Sequence, residues 1–275
     1  MSKKKQRAKE ILRQATPEEI KAAIDNYFSR KPLLTPRLKN WEEDLPGNGE
    51  KQVVPGRLMQ VTEINDTWME VPRYENIMWG GAWLGVISTI IPTVIVIWMI
   101  VDLYHLGFEF KMYLLFFLFF LFSFSMILLN LRMALFVPRD QPIRFNRKRQ
   151  KIYIFEHHRK AWNPWVKWPT TVRVYDWADV HGEISRETDR YDQGFRLYGA
   201  VCKPGTSEVS ERFILNRAVF YIEHQRQLWS HWCRYMQHQP VVMDPLYPNQ
   251  HDDGSPRRKV RWPEALDIES RTAPE

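Results

Sequence analysis

The chain has 275 residues, with 39 Lys and Arg against 32 Asp and Glu and a formal net charge of +7. Its 44% hydrophobic content excludes a disordered polyelectrolyte, and two cysteines, Cys202 and Cys233, exclude a disulfide scaffold. The basic excess admits nucleic acid or anionic lipid as a partner, so where the charge lies along the chain decides between them.

Residues 1–31 read as N-terminal helices on the cytosolic side. The first residues are basic but lack the apolar centre of a signal peptide. Thr16-Pro17-Glu18-Glu19 then offers a hydroxyl N-cap, proline at the first helical position and a Glu that reaches back. Ile20, Ala23, Ile24 and Tyr27 share the face that follows. Residues 32–76 carry Pro32, Pro36 and the run Leu45-Pro46-Gly47-Asn48-Gly49, and read as a linker with short β-like pieces at 53–54, 59–64 and 68–71.

The next stretch organises the chain. Residues 77–101 contain no charged side chain, and as a helix they reach about 37 Å, more than the ~30 Å hydrocarbon core of a bilayer. Residues 112–136 form a second apolar run, uncharged through 131. The link between them, 102–111, is too short for a domain. The expectation is a membrane protein with a two-helix transmembrane hairpin. Lys111 is alone in the link, whereas Arg132, Arg139, Arg144, Arg147, Lys148, Arg149 and Lys151 follow the second helix; positive-inside bias puts both termini in the cytoplasm. Gly81 and Gly85 have the spacing that lets helix backbones approach, and Asn130 lies at a matching depth. These three are the expected helix-packing residues, within the hairpin or in a homo-oligomer. No ionisable group sits at mid-depth, which argues against a channel or pump.

Residues 141–239 have the size of one small domain. Runs with a period near two at 142–155, 170–175, 182–186, 195–202 and 209–215 read as strands, the first as a hairpin turning within 145–150. From 218 the period becomes helical, with Val219, Ile222, Trp229, Cys233 and Met236 on one face. Antiparallel strands closed by a C-terminal helix make an α+β cytosolic domain, and this order of elements resembles a bacterial pleckstrin-homology-like (PH-like) domain. Residues 240–275, rich in proline and charge, read as a disordered tail or a docking strap.

The basic excess is densest just after the second apolar run, where lipid is the nearest partner. Arg144, Arg147, Lys148, Arg149 and Lys151 are therefore candidate membrane-surface contacts. So are Trp162, Trp165 and Trp168, which recur every third residue beside Arg159, Lys160 and Lys167. The bland alternative for these tryptophans is packing under the closing helix. His157 and His158 are adjacent, so in a strand they face opposite ways and do not share a metal ion. No nucleophile motif, phosphate loop or nucleic-acid module is present, so no catalytic, cofactor or metal residues are assigned and no nucleic-acid partner is expected.

The segment Pro142-Ile143-Arg144-Phe145-Asn146-Arg147, with Lys151-Ile152-Tyr153 and Tyr175-Asp176-Trp177-Ala178-Asp179-Val180 after a two-helix hairpin, resembles an uncharacterised bacterial two-helix inner-membrane family found near type VI secretion and Rhs toxin loci. The resemblance implies an inner-membrane-anchored, non-enzymatic factor that binds a toxin or secretion component, as an immunity or accessory protein. A membrane-perforating toxin and a lipid-binding scaffold are the alternatives.

Overall fold

The computed structural model describes residues 29–73, 79–107, 109–138, 140–160, 163, 165–189, 192–247 and 260–274. The helices expected within 1–31 fall almost entirely outside these residues, as does Trp162.

Three short strands come first: β1 (Trp41–Asp44), β2 (Glu63–Ile64) and β3 (Trp68–Val71). Two long helices follow, α1 (Trp79–Leu106) and α2 (Phe110–Phe136), then six strands: β4 (Ile143–Asn146), β5 (Lys151–His157), β6 (Thr170–Asp176), β7 (Val180–Asp189), β8 (Asp192–Cys202) and β9 (Val209–Val219). Two further helices close the described chain, α3 (Ile222–Met236) and α4 (Glu264–Arg271). The apolar helices overrun the expected 77–101 and 112–136 at the ends facing each other, so the link of 102–111 shrinks to 107–109. Asp102 and His105 prolong the first helix instead of leaving it.

All strand pairs are antiparallel. One sheet has the order β2-β3-β4-β5-β6 and the other β1-β7-β8-β9. In the first, the two-residue period puts Met69, Val71, Ile143, Phe145, Ile152 and Ile154 on the inner face, where they join Val180, Ile184, Leu197 and Leu215 of the other sheet and Leu228, Trp229, Trp232, Cys233 and Met236 of α3 in one core. α3 is buried on nearly every side. Trp229, Trp232 and Tyr235 are wholly inside, because residues 45–58 cross the face of α3 turned away from the sheets. Trp229 donates its indole N–H to the Pro46 carbonyl at 2.9 Å, Ser230 its hydroxyl to the Val54 carbonyl at 2.6 Å, and Arg57 its N–H to the Gln227 carbonyl at 3.1 Å.

This corrects the reading of the first part of 32–76 as a linker: β1 pairs with β7, and Leu45 is a core residue. The β-like piece at 68–71 is strand β3, which with β2 extends the first sheet, and Leu58 and Val61 join the core. The tail docks as a strap where it is described: Leu246 and Tyr247 donate backbone N–H groups to Leu58 and Met59, and α4 lies against β4, which corrects the reading of these residues as disordered. Proline and charge mark a stretch that cannot fold by itself, but they do not prevent it from docking.

The apolar helices are inserted between β3 and β4, which are hydrogen-bonded neighbours: Val71 is paired with Ile143 and Trp68 with Asn146. A turn of a few residues would otherwise join these strands. The helices pack on each other through residues that include Ala82, Gly85, Val86, Thr89 and Thr93 of α1 and Asn130 and Ala134 of α2, and the other described side chains are half-buried or exposed. In the most apolar window of each, 11% and 0% of residues are buried, so neither helix lies in the core of the described chain. Both are long and apolar enough to cross a membrane.

Candidate functional site

Where the hairpin leaves the domain, Arg73 closes the sheet. Its backbone N–H donates to Asp140 Oδ1 at 3.0 Å, and its guanidinium donates to the carbonyls of Gln141, Phe155 and, at 3.0 Å, Ile214. The side chain is 1% exposed. A buried guanidinium is tolerable only when its forked donors are met, and here they meet strands of both sheets. Gln141 adds a bond from the His157 N–H at 2.8 Å. The two stems of the hairpin are thus fastened to the domain and to each other.

Beside Arg73, between the sheets, opens a cleft of about 390 Å³ lined by Glu156, His157, His158, Arg173, Tyr198, Arg212 and Phe213. Its cations are largely balanced: Arg173 is bonded to Glu156 and Glu211, and Arg212 to Glu183 at 2.7 Å. Tyr175, which stacks on Phe213 with ring centroids 5.6 Å apart, has its phenol pushed up to about 12 by burial and by its bond to Glu211. The charges here join the sheets and leave little surplus for an anion.

The predicted surface cations lie elsewhere. β4 runs away from the hairpin, so the turn after it, with Arg147, Lys148 and Arg149, is at the far end of the strand. Arg144 and Arg147 are buried, 1% and 8% exposed. Arg147 lies over the Tyr235 ring at 4.7 Å. Arg144, with Asn146, Lys151 and Tyr153, stands on the outer face of the sheet, and the C-terminal segment covers them. Arg144 donates to Glu70 at 2.6 Å, Asp267 at 2.7 Å and Ser270 Oγ at 2.8 Å, and lies 4.1 Å from the Trp262 ring and 5.2 Å from the Trp68 ring. Asn146 donates to the Ser270 and Thr272 carbonyls, Tyr153 to Glu269 at 2.9 Å, and Arg149 to the Thr272 and Ala273 carbonyls. Lys151 is 3.8 Å from Glu269, and Lys148 is exposed. Burial and the bond to Glu269 both push the Tyr153 phenol up. As lipid contacts, Arg144, Arg149 and Lys151 are therefore corrected, because an acidic segment of the chain itself reaches them, and so is Arg147, which is buried over the Tyr235 ring. One sequence signal was available, the carboxylates Glu264, Asp267 and Glu269 spaced along one short helix.

The tryptophans divide. Trp168 is 7% exposed, under the Arg132 guanidinium at 4.5 Å, whereas Trp165 is 69% exposed. Their loop runs beside the end of α2, where Arg159 approaches the Met133 sulfur at 3.7 Å, with Lys160 and Lys167 exposed along it. In the hairpin, a Cβ on Gly85 would lie 2.7 Å from Asn130 Cγ, so these two residues meet; Gly81 is exposed and outside the helix interface. Among the described residues no group of three His, Cys, Asp or Glu side chains is placed to hold a metal ion.

The profile of a family of unknown function, DUF6708, matches residues 118–255, half of the chain. The chain belongs to the DUF6708 family. The DUF6708 match starts within α2 and ends beyond α3, so it takes in β4 to β9 and leaves out β1 to β3 and α4. No curated protein and no solved structure matches the chain.

Proposed function

We propose that this DUF6708 protein is a non-enzymatic, membrane-anchored protein-binding factor of the bacterial inner membrane, with both termini in the cytoplasm. The observation that carries the reading is the insertion of the two apolar helices between paired strands β3 and β4, with Arg73 and Gln141 fastening both stems. A flexible tether would only retain a domain near a bilayer. Two stems rising from adjacent strands also hold its orientation, which suits a platform that presents one surface to a partner.

The partner assigned is a toxin or secretion component, and the role immunity or accessory, following the resemblance to the two-helix family near type VI secretion and Rhs loci. Support for a PH-like domain comes from two antiparallel sheets with a helix, α3, closing the core after the last strand. Lipid contact is a second element of the reading, favoured by exposed Trp165 and by Lys160 and Lys167 beside the end of α2.

Cross-linking of the full-length chain in native membranes, followed by detergent extraction, tests the assignment. A toxin or secretion component recovered in fixed stoichiometry is expected. Recovery of the chain as a soluble monomer without detergent overturns the anchor, and loss of membrane potential on expression overturns the protective role in favour of a perforating one.

A further inference from the structure

The C-terminal segment packs as a ligand packs. A helix belonging to a core buries an apolar stripe, but in α4 only Ser270 is fully buried and Ile268 is 58% exposed. The contact is made mostly of charge and hydrogen bonds: Asp267 and Ser270 on Arg144, Glu269 on Tyr153 and Lys151, and Trp262 over Arg144, with the Trp262 ring also 5.3 Å from that of Phe155. That composition is typical of exchangeable interfaces. The tail is anchored separately upstream, where Leu246 and Tyr247 bond to Leu58 and Met59, and twelve residues, 248–259, separate that anchor from Val260. The segment can leave without unpicking the domain. When it leaves, Arg144 keeps Glu70 at 2.6 Å, so no buried charge is stranded.

We propose that the outer face of the five-stranded sheet is a peptide-docking site, occupied in cis by residues 260–274, and that a partner bearing an acidic helix binds there by displacing them. Charge complementarity sets the partner's chemistry. The face offers Arg144, Arg149 and Lys151; the ligand supplies an aromatic ring ahead of a short helix, then carboxylates five and seven residues on, as Trp262, Asp267 and Glu269 do. The inference deepens the protein-binding reading above. At an intramolecular effective concentration of about 1 mM, an intrinsic Kd of about 10 μM would mask the site about 100-fold.

The test uses the full-length chain, one copy per nanodisc, titrated with a fluorescent peptide of residues 260–275. The variant Asp267→Lys/Glu269→Lys, which weakens only the occupant, is expected to bind the peptide about 100-fold more tightly than the unaltered chain. Adding Arg149→Ala/Lys151→Ala, at half-buried positions of the face, is expected to weaken binding at least about 10-fold while the thermal transition stays cooperative. The proposal is overturned if the opened variant binds no better than the unaltered chain, or if removing the sheet charges leaves affinity unchanged. It also falls if opened chains in detergent form strap-dependent dimers that leave no site for the peptide, since a second copy is then the occupant. Because the readout is direct binding by purified protein, it can fail while cross-linking in membranes still captures a partner elsewhere on the domain.

Discussion

At the scale of single residues, buried polar groups decide how this domain responds to its surroundings. His231 is 1% exposed, with Nε2 at 2.9 Å from the Val242 carbonyl and Nδ1 buried without a hydrogen-bond partner among the described residues. The geometry fits a neutral ring with its proton on Nε2. Burial pulls its pKa below the usual 6.5, and the nearby Arg234 charge acts in the same direction against the Val242 bond. Below pH 6.5 the unfolded chain therefore takes up a proton that the folded chain refuses, so stability falls with falling pH, by up to about 1.4 kcal/mol per pH unit until the folded pKa is reached. Urea unfolding of the full chain in detergent between pH 7.5 and 5.5 is expected to show this loss. His231→Gln, which keeps a donor for Val242, is expected to flatten it. The thiol of Cys233, wholly inside the core, is pushed up by burial alone, which disfavours the thiolate.

At the scale of elements, the hairpin is held by close approach of backbones. Asn130 donates to the Met126 carbonyl at 2.9 Å, and in that position its amide occupies the space where a side chain at residue 85 would start. Gly85→Ala alone is expected to push Asn130 off Met126 and destabilise the helix pair by about 1 kcal/mol. Gly85→Ala/Asn130→Ala should recover most of that loss. A double-mutant cycle, read by unfolding in mixed detergent micelles, is expected to give a coupling of about 1 kcal/mol, and additive effects would mean that the two residues do not meet. Proline at 92 lies inside α1 without ending it; neighbouring hydroxyls are used locally, Thr89 donating to the Gly85 carbonyl and Thr93 to the Thr89 carbonyl, each at 2.7 Å.

At the scale of the whole molecule, the domain and the hairpin are separable in topology although the chain alternates between them. Val71 and Ile143 are paired across the base of the insertion. Replacing residues 74–139 with a short glycine-containing turn is therefore expected to give a water-soluble domain that keeps its β-sheet circular dichroism and unfolds cooperatively. Some loss of stability is expected, because Asp140 and its bond to the Arg73 N–H sit at the graft. Aggregation or a non-cooperative melt would mean that the sheet depends on the hairpin, contrary to a core that contains no residue of α1 or α2.

The sequence by itself determined whatever depends on local period and length: two apolar runs long enough for a bilayer, the β4–β5 hairpin within 142–155, and the closing helix with Trp229, Cys233 and Met236 on its inner face. These are legible because a helix or a strand repeats its environment every few residues. It did not reveal that 33–52 belongs to the domain, since residues 45–57 cover α3 as an irregular run of chain held by backbone groups, the Pro46 and Val54 carbonyls accepting and the Arg57 N–H donating, and backbone groups carry no signature in side-chain order. Nor did it reveal what Arg144 does. Arginine near an apolar helix reads as a lipid contact by position along the chain, and only the tertiary structure, by turning β4 away from the hairpin and bringing Asp267 and Ser270 onto it from more than a hundred residues away, decided that its partner is protein.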